Sequence, residues 1–123
     1  MNTRVWKVQA TEDGSLQILA YLRNDVDGSR VVQAQISAIS VKVFPPSGSA
    51  YSATPAVNSV IFDTLQQDAR WPFDDDGYNF LHVLPPDAFP VGGKHRIEYR
   101  FTAAGGQVYW LLIDAEAEEV KTS

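Results

Sequence analysis

Cysteine is absent from the 123-residue chain. That excludes disulfide staples, thiolate-ligated zinc and a thiol nucleophile, so the fold stands on its core alone. Histidine is scarce, with only His82 and His95. Positive charge is thin as well: ten Lys and Arg face fifteen Asp and Glu, a formal net charge of −5. Phosphate-backbone binding needs clustered cations, and anionic membrane surfaces attract them too. Neither nucleic acid nor membrane is therefore expected as a partner. No apolar run approaches the roughly 18 residues of a membrane span. The opening Met1-Asn2-Thr3-Arg4-Val5-Trp6-Lys7 lacks the apolar stretch of a signal peptide, and the expectation is cytoplasmic synthesis.

What the chain does have is apolar mass, 45% of residues with 11% aromatic, enough for one domain with a real core. Most of that mass alternates with polar residues at period two. Trp6, Val8 and Ala10 form one row, and Leu16, Ile18, Ala20 and Leu22 another. Val32, Ala34 and Ile36 lead towards Ile39, Val41 and Val43, with a slip of phase near Ala38 that predicts a bulge or two strands. Val60 and Phe62 alternate with Ile61 and Asp63, and Thr64 to Arg70 reads as a helical turn or a loop. Tyr78, Phe80, His82 and Leu84 share one face, as do Ile97, Tyr99, Phe101 and Ala103. Val108 to Ile113 is apolar on both faces.

Turn residues punctuate these runs. Glu12-Asp13-Gly14-Ser15, Asn24 to Ser29, Pro45 to Ser49, Asp74-Asp75-Asp76-Gly77, Pro85-Pro86-Asp87, Pro90 to Gly93 and Gly105-Gly106 all break the alternation. Seven or eight short strands with little helix predict an all-β chain, an antiparallel β-sandwich or barrel. The expected domain covers residues 1–114, with 115–123 as an acidic C-terminal tail.

Chemical motifs are mostly refused. Placing Gly28 or Gly77 at position six of an EF-hand loop puts Arg23 and Ala34, or Pro72 and Val83, at the terminal ligand positions. None of those side chains ligates calcium there. A looser calcium site around Asp74, Asp75 and Asp76 competes with a solvated turn, and the turn is preferred. Two histidines without HExxH-like spacing do not make a catalytic zinc site. His82 reads as a packed or edge residue inside a strand, and His95 as exposed at a strand start. The Gly-Ser pairs lack the second glycine of a nucleophile elbow, and no phosphate-cradling glycine loop is present. No cofactor and no catalytic residue is assigned.

The aromatics carry the remaining candidates. Trp71, Phe73 and Tyr78 form a possible sugar-stacking platform, against which stands Trp71 as a plug at one end of the core. Tyr109 and Trp110 point opposite ways, so one ring belongs to the core and the other to an interface. Tyr109, Trp110, Leu111 and Ile113 are the expected protein-binding residues.

A family resemblance rests on Ile36 to Phe44 with Pro46-Ser47-Gly48, on Val60 to Leu65, Trp71 and Asp76-Gly77-Tyr78-Asn79-Phe80, and on Pro85, Phe89, Gly93 and Tyr99 to Thr102. In this order they resemble immunoglobulin-like domains of macroglobulin type that occur as small phage and prophage proteins. They are also similar to the N-terminal domain of phage baseplate upper proteins. The segments Gln66 to Asp75 and His95 to Tyr99 depart from that pattern. The resemblance implies an immunoglobulin-like sandwich and a non-enzymatic structural or assembly protein, with a virion location. Its partners would be proteins, a second copy of the chain included. A carbohydrate-binding or adhesive module is the alternative.

Overall fold

The period-two rows become two β-sheets packed face to face. The computed structural model describes residues 2–7, 10–24, 27–67, 71 and 77–120. One sheet contains β1 (Asn2–Lys7), β3 (Leu16–Arg23), β7 (Tyr78–Leu84) and β6 (Ile61–Gln66), in the order β1-β3-β7-β6. The other contains β2 (Ala10–Thr11), β9 (Val108–Glu118), β8 (Gly93–Ala103), β4 (Ile36–Phe44) and β5 (Tyr51–Ala53), in the order β2-β9-β8-β4-β5. Every pairing is antiparallel except the short contact of β2 with β9. The chain thus contributes its first strand to one sheet and, a few residues later, a two-residue strand to the other.

Because successive side chains point to opposite faces, one row of each strand is buried. Leu16, Ile18, Ala20 and Leu22 of β3 and Phe80 and Leu84 of β7 meet Val41, Val43, Ile97, Tyr99, Phe101, Leu111 and Ile113 in one cluster. Phe80 bridges the sheets edge-on, 5.2 Å from the Tyr99 ring and 5.7 Å from the Phe101 ring, the geometry that aromatic quadrupoles favour.

The slip of phase near Ala38 is a bulge, where the register between β4 and β8 shifts between Ile36 and Ala38. Gly105-Gly106 is the β8–β9 hairpin turn: the Gly106 N–H donates to the Ala103 carbonyl at 2.9 Å, and Gly106 has φ +94°. Other local expectations are corrected. Val60 closes a single helical turn, α1 (Val57–Val60), rather than opening a strand. The change of period reverses the faces, so Ile61 is buried and Phe62 looks outward. Thr64 to Gln66 is strand, not helix. β9 runs on to Glu118 with Ala115 and Ala117 buried, so the first residues of the expected acidic tail belong to the sheet.

Tyr78 also leaves its expected row. It packs with Leu19 and Trp71, flanked by Tyr21, Phe62 and Leu81, in a second cluster outside the β1-β3-β7-β6 sheet. The phase breaks at Asn79, a fully buried amide. Its Oδ1 accepts from the Leu22 N–H at 2.7 Å, and its Nδ2 donates to the carbonyls of Leu22 and Val31 at 3.0 and 2.9 Å. The β3–β7 ladder ends at Ala20 opposite Phe80. Beyond that point the Asn79 side chain supplies the bonds that a neighbouring backbone would have made, as buried main-chain groups require.

Candidate functional site

β9 decides where this molecule has surface to offer. Leu111 and Ile113 are 8% and 7% exposed and face the core, with Ala115 and Ala117 continuing the row. Val108, Trp110 and Leu112 form the opposite row, with Trp110 53% and Leu112 50% exposed. The expected interface therefore splits. Trp110 is presented to solvent; Leu111 and Ile113 are core residues, because they have the wrong parity. Tyr109 is partly buried against the core. Val108 and Leu112 take the places of Leu111 and Ile113 on the outer face.

The backbone of β9 is equally two-sided. The Ala103 N–H donates to the Gln107 carbonyl at 2.7 Å, so Gln107 turns its main chain towards β8. The Glu12 N–H donates to the Glu118 carbonyl at 2.8 Å, so Glu118 turns away from β8, towards β2. The β8–β9 register is unbroken from Thr102 opposite Val108 to Gly93 opposite Ala117. Main-chain direction alternates along a strand. Odd-numbered residues therefore bond to β8, and even-numbered residues point to the sheet edge. β2 pairs with that edge at Ala117 and Glu118. Among the described residues, Val108, Trp110, Leu112 and Asp114 keep an open edge of N–H and C=O groups.

The neighbours on this face are charged. Arg100 lies opposite Trp110, Glu98 opposite Leu112, Arg96 opposite Asp114 and Lys94 opposite Glu116. Arg96 Nε contacts Glu98 Oε2 at 3.2 Å, and its Nη1 contacts Asp114 Oδ1 at 3.6 Å. Apolar and hydrogen-bonding capacity thus concentrates at the hairpin end of β9, and negative charge at the other end. An exposed strand edge beside large apolar side chains invites strand addition.

The other candidate residues are placed elsewhere. Trp71 and Tyr78 do not form a sugar platform. Trp71 is 7% exposed and its ring lies 6.0 Å from that of Tyr78, which is buried as well. Nor does Trp71 plug the main core, since its cluster lies on the outer side of a sheet. Phe73 and the Asp74 to Asp76 turn lie outside the described residues. Among the described residues no group of three potential metal ligands comes together.

The histidines are structural in placement. His82 faces the core, with Nδ1 2.7 Å from the Tyr99 hydroxyl. Burial pushes Tyr99 well above the usual phenol range, with the nearby Tyr51 adding to it, and burial lowers His82. Tyr99 stays a phenol, and one hydrogen bond joins it to His82, the imidazole tautomer setting which of the two donates. His95 is 1% exposed, not exposed as expected. Its Nδ1 reaches the Gly93 carbonyl at 2.9 Å and its ring packs 5.1 Å from Phe89. His95 shares the inward row of Ile97 and Tyr99, a parity signal that its charged neighbours Lys94 and Arg96 obscured.

Among the described residues, no helix is long and apolar enough to cross a membrane. Comparison with protein-family models, with curated proteins and with solved structures found no match.

Proposed function

We propose that this chain is an immunoglobulin-like, non-enzymatic assembly module of a phage or prophage, acting through protein contacts at the outer face and open edge of β9. The observation that carries the reading is Trp110 standing half exposed beside Leu112 on a strand whose edge, among the described residues, is unpaired over Val108 to Asp114. Large exposed aromatics are the commonest anchors of protein interfaces, and an open edge supplies main-chain bonds to the same partner.

Strand order supports the immunoglobulin-like part. The order β1-β3-β7-β6 corresponds to the A-B-E-D sheet of such domains, and β9-β8-β4-β5 to G-F-C with an added C′ strand. The phage attribution rests on the resemblance of the Gly77-Tyr78-Asn79-Phe80 and Tyr99 to Thr102 segments. The test is assembly in the producing cell. Wild-type chain should co-sediment with particles of the phage that encodes it, and a Trp110→Ser, Leu112→Ser chain should fold but stay behind. Equal co-sedimentation of both, or of neither, overturns the proposal.

A further inference from the structure

We infer that the open edge of β9 pairs with the same edge of a second copy, antiparallel, about a two-fold axis beside Leu111. This rests on the reading of that edge as the working surface and names its partner. The span of the edge sets the register. Among the described residues, Val108, Trp110, Leu112 and Asp114 are those whose main-chain groups are open, and their midpoint is Leu111. A two-fold axis there is the arrangement that pairs all four with one another: Val108 opposite Asp114 of the other copy, and Trp110 opposite its Leu112, each twice. Pairs of this kind exchange two N–H···O=C bonds each, about eight in all. They would join the five-stranded sheets of the two copies into one continuous sheet.

Charge argues for the same geometry. Each chain carries a net −5, and the acids of β9 gather at its far end as Asp114, Glu116 and Glu118. A parallel pairing would set Asp114 against Asp114. The antiparallel pairing sends the two acidic ends in opposite directions. Arg100, beside Trp110 and without an ion-pair partner among the described residues, is on the face along which the other copy's Asp114 arrives. Trp110 and Leu112 then cover one another across the interface, as aromatic and aliphatic cross-strand pairs do. So short a contact falls below the roughly 1,200 Å² of standard interfaces, and the dimer is expected to form and dissociate with concentration.

The absence of cysteine makes the test clean. Val108→Cys and Asp114→Cys chains are prepared separately, and both retain Trp110 and Leu112. Mixed under mild oxidation, the two should cross-link to each other, while either alone should not. Their like positions lie about six residues apart along the strand, roughly 20 Å, far beyond disulfide reach. In sedimentation equilibrium the unmodified chain should dimerise with rising concentration. Trp110→Ser should weaken this at least about tenfold, and Leu112→Pro, which removes an edge-facing N–H and the leucine side chain but no bond to β8, should abolish it. Cross-linking that is equal in all three samples, or a chain that stays monomeric throughout, overturns the pairing. If the chain is monomeric while Trp110→Ser still loses the particle, self-pairing falls and the assembly reading stands.

Discussion

Replacing Asn79 by leucine tests the account of how this sandwich closes at the start of β7. The amide makes three buried bonds, to Leu22 N–H, Leu22 C=O and Val31 C=O. Leu22 C=O would keep one partner, the Val31 N–H at 3.1 Å. The Leu22 N–H and the Val31 carbonyl would lose the Asn79 bonds in a site without solvent. A buried group left unsatisfied costs about 1–3 kcal/mol, so two of them sum to about 2–6 kcal/mol. Domains are stable by about 5–15 kcal/mol, so the variant should fold with little margin. In urea, with m about 1–3 kcal/mol/M, the midpoint should fall by about 2 M at unchanged m. Asn79→Asp should be at least as harmful at neutral pH, because a carboxylate oxygen would face two carbonyls. Its folded pKa would be raised, so its stability is greatest below about pH 3.9 and is lost as pH rises. A loss below about 1 kcal/mol in Asn79→Leu refutes the reasoning.

Three further outcomes separate the faces and turns. Leu111→Ala should cost about 2–4 kcal/mol, whereas Trp110→Ser should shift monomer stability by no more than about 0.5 kcal/mol; thermal melts of the dilute proteins decide between them. Gly77→Ala should disrupt the β6–β7 junction, because Gly77 has φ +101° and an added Cβ would overlap the Gln66 carbonyl; loss of the cooperative near-ultraviolet transition reports it. His82 is held neutral by burial, with its pKa lowered from 6.5. Its contribution is therefore complete above that value and is lost as pH falls below it towards the folded pKa. Chemical denaturation from pH 7.5 to 5 should show this decline, and His82→Gln should flatten it.

The parity of β9 explains why the proposed interaction surface was half legible. Alternating apolar and polar residues announce which face is buried, and Tyr99 and Phe101 obeyed that rule. In Val108 to Ile113 both rows are apolar, so alternation is silent. Only the register against β8 assigns Leu111 inward and Leu112 outward. His95 was misplaced for the opposite reason: its neighbours' charge outweighed its position in the Ile97–Tyr99 row. Asn79 gave no signal, since an amide inside an apolar row reads as an exception until the backbone it caps is known. The bulge at Ala38 and the Gly105-Gly106 turn were visible because a phase slip and a glycine pair are local facts.

By itself the sequence determined the all-β class, because period-two burial and turn chemistry depend on near neighbours. It also determined the dependence on core packing, because no cysteine is available. Tertiary structure decided that Trp71 covers the outside of one sheet and that His82 and Tyr99 are joined by a hydrogen bond. It also decided that, among the described residues, β2 leaves most of the β9 edge open. Each of these depends on residues distant along the chain meeting in a particular register, and that register is set only when two sheets close on one core.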